Sequence, residues 1–356
     1  MTNDAIRRAA GRVLIVGFPG RALPAPIAAL AAEGALGGVI LFKRNLGTIE
    51  EIAAVIDGVH DAFGAGHAPL VSIDQEGGRV ARLGAPFVKL PPMRVLGTRD
   101  DEALTRRAAR VLGTQLRALG IGVDFAPVLD VDTNPANPVI GDRSFGRDPD
   151  VVIRHALAFA EGLGDAGVLA CGKHFPGHGD TDLDSHLALP RIAHDRARLD
   201  RVELAPFRAA RAKVPTIMTA HVVFDAIDPG VPATLSRAVI EGVLRGELGY
   251  DGVIISDDLE MKAVADRWGV ADSAVRAIDA GCDALLVCAT PERVIEAHAA
   301  LVARAEHDDA FAARLEAAAR RVDALPRVPR PAPDVLARIE AAGGAEIERA
   351  LTPASS

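Results

Sequence analysis

Val168-Leu169-Ala170-Cys171-Gly172-Lys173-His174-Phe175-Pro176-Gly177-His178-Gly179-Asp180-Thr181-Asp182-Leu183-Asp184-Ser185-His186 changes character part-way along. Its opening, Val168–Cys171, is an apolar run of the kind that forms a buried strand. From Lys173 onward it gathers three histidines, three aspartates, one lysine and two glycines. No hydrophobic core needs that composition. Titratable groups concentrated at the end of a strand are what acid–base chemistry needs.

Working outward, seven further apolar runs have the same look: Val13–Gly17, Gly38–Phe42, Leu70–Asp74, Gly122–Phe125, Thr216–Ala220, Gly252–Ser256 and Ala284–Val287. Amphipathic, Ala/Arg/Glu-rich segments separate them, among them Ile49–Phe63, Ala103–Leu119, Val151–Ala166, Asp200–Ala212 and Arg293–Ala305. Near-continuous Val/Ile/Leu strands fit a parallel sheet covered by helices. A doubly wound open sheet is the structural alternative. Eight repeats favour closure, so the expected fold is α/β, a (β/α)₈ TIM-type barrel. In such a barrel the chemistry sits at the carboxyl ends of the strands. Asp74, Lys173-His174, His221 and Asp257-Asp258 all fall there. The catalytic barrel is expected over residues 1–306. Residues 307–356, broken by Pro326, Pro329, Pro331 and Pro333, read as a helical extension packed on its exterior.

The formal net charge of -8 favours neither nucleic acid nor an anionic membrane as partner. Three cysteines, Cys171, Cys282 and Cys288, lie in or beside apolar runs, which suits reduced, buried thiols. The first residues lack the apolar stretch of a secretory signal. No run is long and apolar enough to span a bilayer. The expectation is a cytoplasmic monomer.

Four groups carry candidate chemistry. Asp257 and Asp258 follow one another at a strand end, and consecutive strand residues point to opposite sides. One faces the barrel mouth; the other caps the next helix or holds a loop. Asp184 and His186 are spaced for a carboxylate to orient an imidazole, or merely to stabilise a surface loop. Asp74, with Arg79 and Arg82 beyond a Gly-Gly turn, suits hydrogen bonding to vicinal hydroxyls or a carboxylate. Arg143, in the glycine-bounded loop Gly141–Gly146, clamps a substrate oxygen or ties the loop together; spacing does not decide. A zinc site would need His174, His178, His186 and His221 to converge. The His-x-His signature of an early strand end is missing, and Pro176-Gly177 prevents a helix that would align His174 with His178. The expectation is therefore no metal and no cofactor.

Taken in order, Ile73-Asp74-Gln75-Glu76-Gly77-Gly78-Arg79, Asp124-Phe125-Ala126-Pro127-Val128-Leu129-Asp130, Arg143-Ser144-Phe145-Gly146, Lys173-His174-Phe175-Pro176-Gly177-His178-Gly179-Asp180, Asp184-Ser185-His186 and Ser256-Asp257-Asp258-Leu259 resemble glycoside hydrolase family 3. More narrowly, they resemble its single-domain bacterial β-N-acetylglucosaminidases of peptidoglycan recycling. The resemblance implies that Asp257 is the nucleophile, His186 the acid/base and Asp184 its dyad partner. It implies that Asp74, Arg82, Arg143, Lys173 and His174 hold the N-acetylglucosamine, and it leaves His178 and Asp180 with loop-shaping roles. The implied reaction is retaining exo-hydrolysis of terminal β-1,4-linked N-acetylglucosamine. The implied substrate is N-acetylglucosaminyl-anhydro-N-acetylmuramic acid, with or without peptide. The alternatives are a β-N-acetylglucosaminide phosphorylase using the same dyad, a metal-dependent barrel hydrolase, and a sugar sensor without turnover.

Overall fold

The computed structural model describes residues 1–185 and 189–352. Eight strands are the frame: β1 (Leu14–Val16), β2 (Gly38–Leu41), β3 (Leu70–Ile73), β4 (Val123–Asp124), β5 (Leu169–Phe175), β6 (Thr216–Thr219), β7 (Val253–Asp258) and β8 (Ala284–Val287). They close into a parallel barrel in chain order, with β8 pairing back onto β1. All eight expected strands are present, and the open-sheet alternative is set aside by that closure.

Helices cover the outside. Local sequence starts and stops them. Ile49–Phe63 begins with a capping box, in which the Thr48 hydroxyl accepts the Glu51 N–H and the Glu51 carboxylate accepts that of Thr48. It ends at Gly64, whose φ of 68° suits a residue without Cβ. The segment expected as one helix over Asp200–Ala212 differs. It forms two short helices, Arg196–Arg201 and Ala205–Ala210. Pro206 has no N–H to continue the first helix but fits the opening turn of the second.

Strand parity decides what the barrel holds. Ile15, Ile40, Leu70, Val123, Cys171, Met218, Val253, Ile255, Ala284 and Leu286 form an interior cluster. Their strand neighbours Leu14, Val39, Val71, Ala170, Ile217, Ile254 and Leu285 belong to the layer between strands and helices. Two residues on from Ile255 is Asp257, and two on from Cys171 is Lys173. Side chains alternate along a strand. The inward rows of β5 and β7 therefore end in an ammonium and a carboxylate.

β5 and β7 run further than the apolar signal does. The expected ends were Cys171 and Ser256, whereas the strands reach Phe175 and Asp258. Polar side chains sustain the extra residues because they find partners at the mouth, as described below.

The opposite end of the barrel is filled. Helix Asp309–Asp323 packs against Asn3–Arg12 and Pro291–His307, and its Val322, with Leu325 beyond, joins the interior cluster. After the prolines, Val335–Ala341 and Gly344–Leu351 lie against Glu102–Ala118, where Gln115 donates to the Ile339 carbonyl at 3.0 Å. No helix among the described residues is long and apolar enough to cross a membrane.

Candidate active site

A buried charge cluster lies just above the barrel core. Lys173 Nζ stands 2.8 Å from Asp74 Oδ1 and 2.6 Å from Glu76 Oε1. Arg143 grips the same Glu76 with two parallel bonds, Nε to Oε2 at 2.9 Å and Nη2 to Oε1 at 2.8 Å. The Lys173 and Glu76 side chains are each only 2% exposed, so neither charge survives without its partners. Burial alone would raise the Glu76 pKa, but Arg143 and Lys173 hold it well below the usual carboxylate range. Burial alone would lower that of Lys173, but Asp74 and Glu76 hold the ammonium above its ordinary value. Arg82 completes the group at 3.4 Å from Asp74 Oδ2, and its guanidinium lies 5.8 Å from the centre of the Phe42 ring. The result is a rigid row of hydrogen-bonding groups facing the mouth.

Beside it, Asp130 organises the loop after β5. Its Oδ2 meets His174 Nδ1 at 2.7 Å, and its Oδ1 accepts the backbone N–H groups of His174 and His178. Arg143 Nη2 stands 3.4 Å from His174 Nε2, so these two partners place the proton on Nδ1. His178 is bound at both nitrogens, to Thr181 Oγ1 at 2.7 Å and Ser185 Oγ at 3.1 Å. Burial, with His174 nearby, pushes its pKa down to about 4. A histidine neutral above that pH cannot be the proton donor near neutrality; it braces Ser185. Gly179 is needed here for space: a Cβ would lie 1.9 Å from the Val131 carbonyl oxygen.

Asp257 and Asp258 divide as strand parity requires. Asp258 Oδ1 accepts the N–H groups of Glu260 at 3.0 Å and Cys288 at 3.2 Å, joining the ends of β7 and β8. Burial, then the Glu260 and Asp257 charges, push its pKa up to about 7. Asp257 Oδ1 accepts the Asp258 N–H at 2.8 Å, and its carboxylate lines the same cavity as Asp74, Lys173 and His174. That cavity measures about 190 Å³. The Ser185 carbonyl accepts the Ala263 N–H at 3.3 Å, which brings the β5 loop against the helix that follows Asp257.

The structure thus brings together Asp74, Arg82, Arg143, Lys173, His174 and Asp257, all of which line one cavity. Asp184 precedes Ser185, which lines the cavity. His186, the expected acid/base, lies outside the described residues. Arg79 ties a loop, donating to the carbonyls of Val139 and Ile140. His221 is held between Thr234 Oγ1 and the Asp258 carbonyl, each at 2.9 Å. Among the described residues no group of three or more His, Cys, Asp or Glu is placed to hold a metal ion. Sequence reasoning misses Glu76 and Asp130, which pair with Lys173 and Arg143 and with His174, and Asp124, which accepts the Gln75 N–H. The available signal is a carboxylate at or just beyond the ends of β3 and β4.

A model of the glycosyl hydrolase family 3 N-terminal domain matches residues 14–325. The chain belongs to glycoside hydrolase family 3. A β-hexosaminidase of Alkalilimnicola ehrlichii is 42% identical over 290 residues, covering 79% of this chain and 82% of the relative. One of Neisseria gonorrhoeae is 42% identical over 274 residues, 74% of each chain. Among solved structures, a family 3 β-N-acetylglucosaminidase from Paenibacillus sp. str. FPU-7 superposes with a TM-score of 0.86 at 43% identity, over 96% of this chain and 67% of that one. NagZ from Neisseria gonorrhoeae gives 0.73 at 34% identity, over 88% and 98%. This family 3 member is accordingly a glycoside hydrolase of the β-hexosaminidase type, a β-N-acetylhexosaminidase.

In this family 3 enzyme one carboxyl group is out of keeping with its neighbours. Asp124 is fully buried; its Oδ1 accepts the Gln75 N–H at 2.9 Å, and its Oδ2 has no hydrogen-bond partner among the described residues. Burial, with Asp74 and Glu76 adding to it, pushes its pKa up to about 8. A carboxyl raised in the fold holds its proton. Its stabilisation is present below the unfolded value of 3.8 and is lost as pH climbs through about 8. Asp124→Asn keeps an oxygen for Gln75 and removes the ionisation. Compared by urea unfolding at about pH 5 and about pH 8, the variant is expected to gain on wild type as pH rises, by at most ~1.4 kcal/mol per pH unit. A constant difference would contradict this.

Proposed function

We propose that this enzyme is a retaining, exo-acting β-N-acetylglucosaminidase of cell-wall recycling. Its substrate is terminal β-1,4-linked N-acetylglucosamine on (anhydro)-N-acetylmuramic acid, with or without peptide, and it works in the cytoplasm. The observation that carries the reading is one small cavity with a neutralised Asp74–Lys173–Glu76–Arg143 row along one side and the Asp257 carboxylate on another. The first is a place to hold hydroxyls; the second is a nucleophile. A volume of about 190 Å³ is below the ~300–1,000 Å³ of drug-sized sites, so it suits one sugar ring rather than a chain. NagZ from Neisseria gonorrhoeae has been solved with N-trifluoroacetyl-D-glucosamine, which supports an amino sugar as the ring bound here.

Asp74, Arg82 and Lys173 orient the sugar hydroxyls, with His174 and Arg143 beside them, and binding energy there fixes the ring for attack. Asp257 attacks the anomeric carbon while His186, oriented by Asp184, gives its proton to the glycosidic oxygen. A glycosyl ester forms on Asp257 through an oxocarbenium-like transition state. Neutral His186 then takes a proton from water as that water opens the ester. Two displacements retain the β configuration.

A 2-fluoro sugar carrying a good leaving group tests the scheme. Intact-protein mass spectrometry is expected to find one added glycosyl unit, located by peptide mapping on Asp257. Absence of an adduct under conditions of turnover would count against direct attack. Sugar 1-phosphate formed in phosphate buffer would move the assignment to a phosphorylase.

A further inference from the structure

The loop carrying Asp184 and Ser185 is anchored at two ends that belong to different barrel units. Upstream, the β4–β5 connection holds it. Asn137 Nδ2 donates to the His178 carbonyl at 2.8 Å, Asn134 Nδ2 to the Thr181 carbonyl at 3.1 Å, and Thr133 Oγ1 to Asp180 Oδ1 at 2.6 Å. Downstream, the β6–β7 connection holds it. Arg191–Ile192 runs parallel to Val223–Phe224, the Pro190 carbonyl accepts the Val223 N–H at 2.9 Å, and that of Ile192 accepts the Asp225 N–H at 3.1 Å. A side-chain pair joins these two anchorages directly. Asp180, whose Oδ1 is engaged by Thr133, presents Oδ2 to His194 Nε2.

Nothing in the reaction scheme calls for this second imidazole–carboxylate pair. Neither residue lines the sugar cavity. Their side chains are 23% and 35% exposed, and a pair that open to water adds little to global stability. Its effect is geometric. A loop whose two ends are free to separate samples many shapes, and fixing their separation removes most of them.

We infer that Asp180 and His194 are positioning residues for proton transfer: their contact ties the anchorage before Asp184 to the anchorage after it, and so sets where the proposed acid/base dyad is delivered. The inference rests on the reading of Asp184 and His186 as that dyad. It predicts a defect confined to the step that needs a proton. A misplacement of about 1 Å can cost on the order of 10²-fold in rate.

The experiment is a leaving-group series of aryl N-acetyl-β-glucosaminides with purified full-length wild type, His194→Ala, His194→Gln, Asp180→Ala and His186→Ala. For His194→Ala, kcat/KM is expected to fall by about 10- to 100-fold with a poor leaving group such as phenol, and by no more than about threefold with 4-nitrophenol. His194→Gln, whose amide can donate to Asp180, is expected to restore most of the loss. His194→Ala and Asp180→Ala combined are expected to be no worse than Asp180→Ala alone, because Asp180→Ala already breaks the contact with His194 along with that from Thr133. Equal losses on good and poor leaving groups, with or without a lowered melting point, would reduce the pair to a structural role and overturn the inference; so would no loss at all. His186→Ala separates the two failures. If it shows steep leaving-group dependence and His194→Ala does not, the latch alone is wrong. If His186→Ala shows none, the dyad reading fails and the inference falls with it.

Discussion

Asp257→Ala is expected to lose hydrolysis of 4-nitrophenyl N-acetyl-β-glucosaminide by about 10⁴-fold or more in kcat, the scale on which removal of a nucleophile acts. The argument runs from strand parity. Val253 and Ile255 face the barrel interior, Asp257 continues that row at the mouth, and its carboxylate shares a cavity with the Asp74–Lys173 pair. Of the other described carboxylates lining the cavity, Asp258 accepts the Glu260 and Cys288 N–H groups and joins two strand ends, while Asp74 and Glu76 belong to the Lys173 charge row. His186→Ala should behave differently on the same substrate. A good leaving group needs little protonation, so the first step survives and slow hydrolysis of the ester leaves a burst of 4-nitrophenol. A burst from Asp257→Ala, or activity within tenfold of wild type, would remove Asp257 from its role.

Glu76→Ala is expected to be the most damaging change at the charge row. It leaves Lys173 and Arg143 as adjacent buried cations, a loss of about 3–5 kcal/mol where a buried pair is broken from one side. Chemical denaturation measures it. The sign with pH follows from the depressed carboxyl. Stabilisation by Glu76 is complete above its unfolded value of 4.5 and is lost as pH falls toward its folded value. The gap between wild type and variant should therefore be constant near neutrality and narrow in acid. In surviving folded protein the KM should rise, because Lys173 and Arg143 lose the partner that aims them. A variant as stable as wild type would mean that the cluster is not a unit.

Much of this architecture was legible beforehand. Eight apolar runs mark eight strands because a parallel barrel buries both strand faces, so hydrophobicity needs no alternation to be seen. Strand ends were less legible. Lys173 and Asp257 look like loop residues by polarity, yet the β5 and β7 ladders carry them because each side chain finds its partners above the core. Glu76 and Asp130 were hidden for a related reason. Sequence reveals which residues carry charge, whereas pairing between Glu76 and Arg143, or Asp130 and His174, depends on the angle at which neighbouring strands deliver them. The break within Asp200–Ala212 falls next to Pro206, which the amphipathic pattern on both sides conceals. His186 stays an assignment from motif alone, and the leaving-group series is its test.

Val322 and Leu325, seated in the far end of the barrel, also constrain traffic. With that end stoppered by apolar side chains, cargo enters and departs by one doorway. Under the proposed double displacement, the severed aglycone would have to clear it before water could reach the sugar ester, and the freed amino sugar would go last. Such a queue would make the monosaccharide a competitive inhibitor, while the aglycone fragment would act by lingering on the threshold.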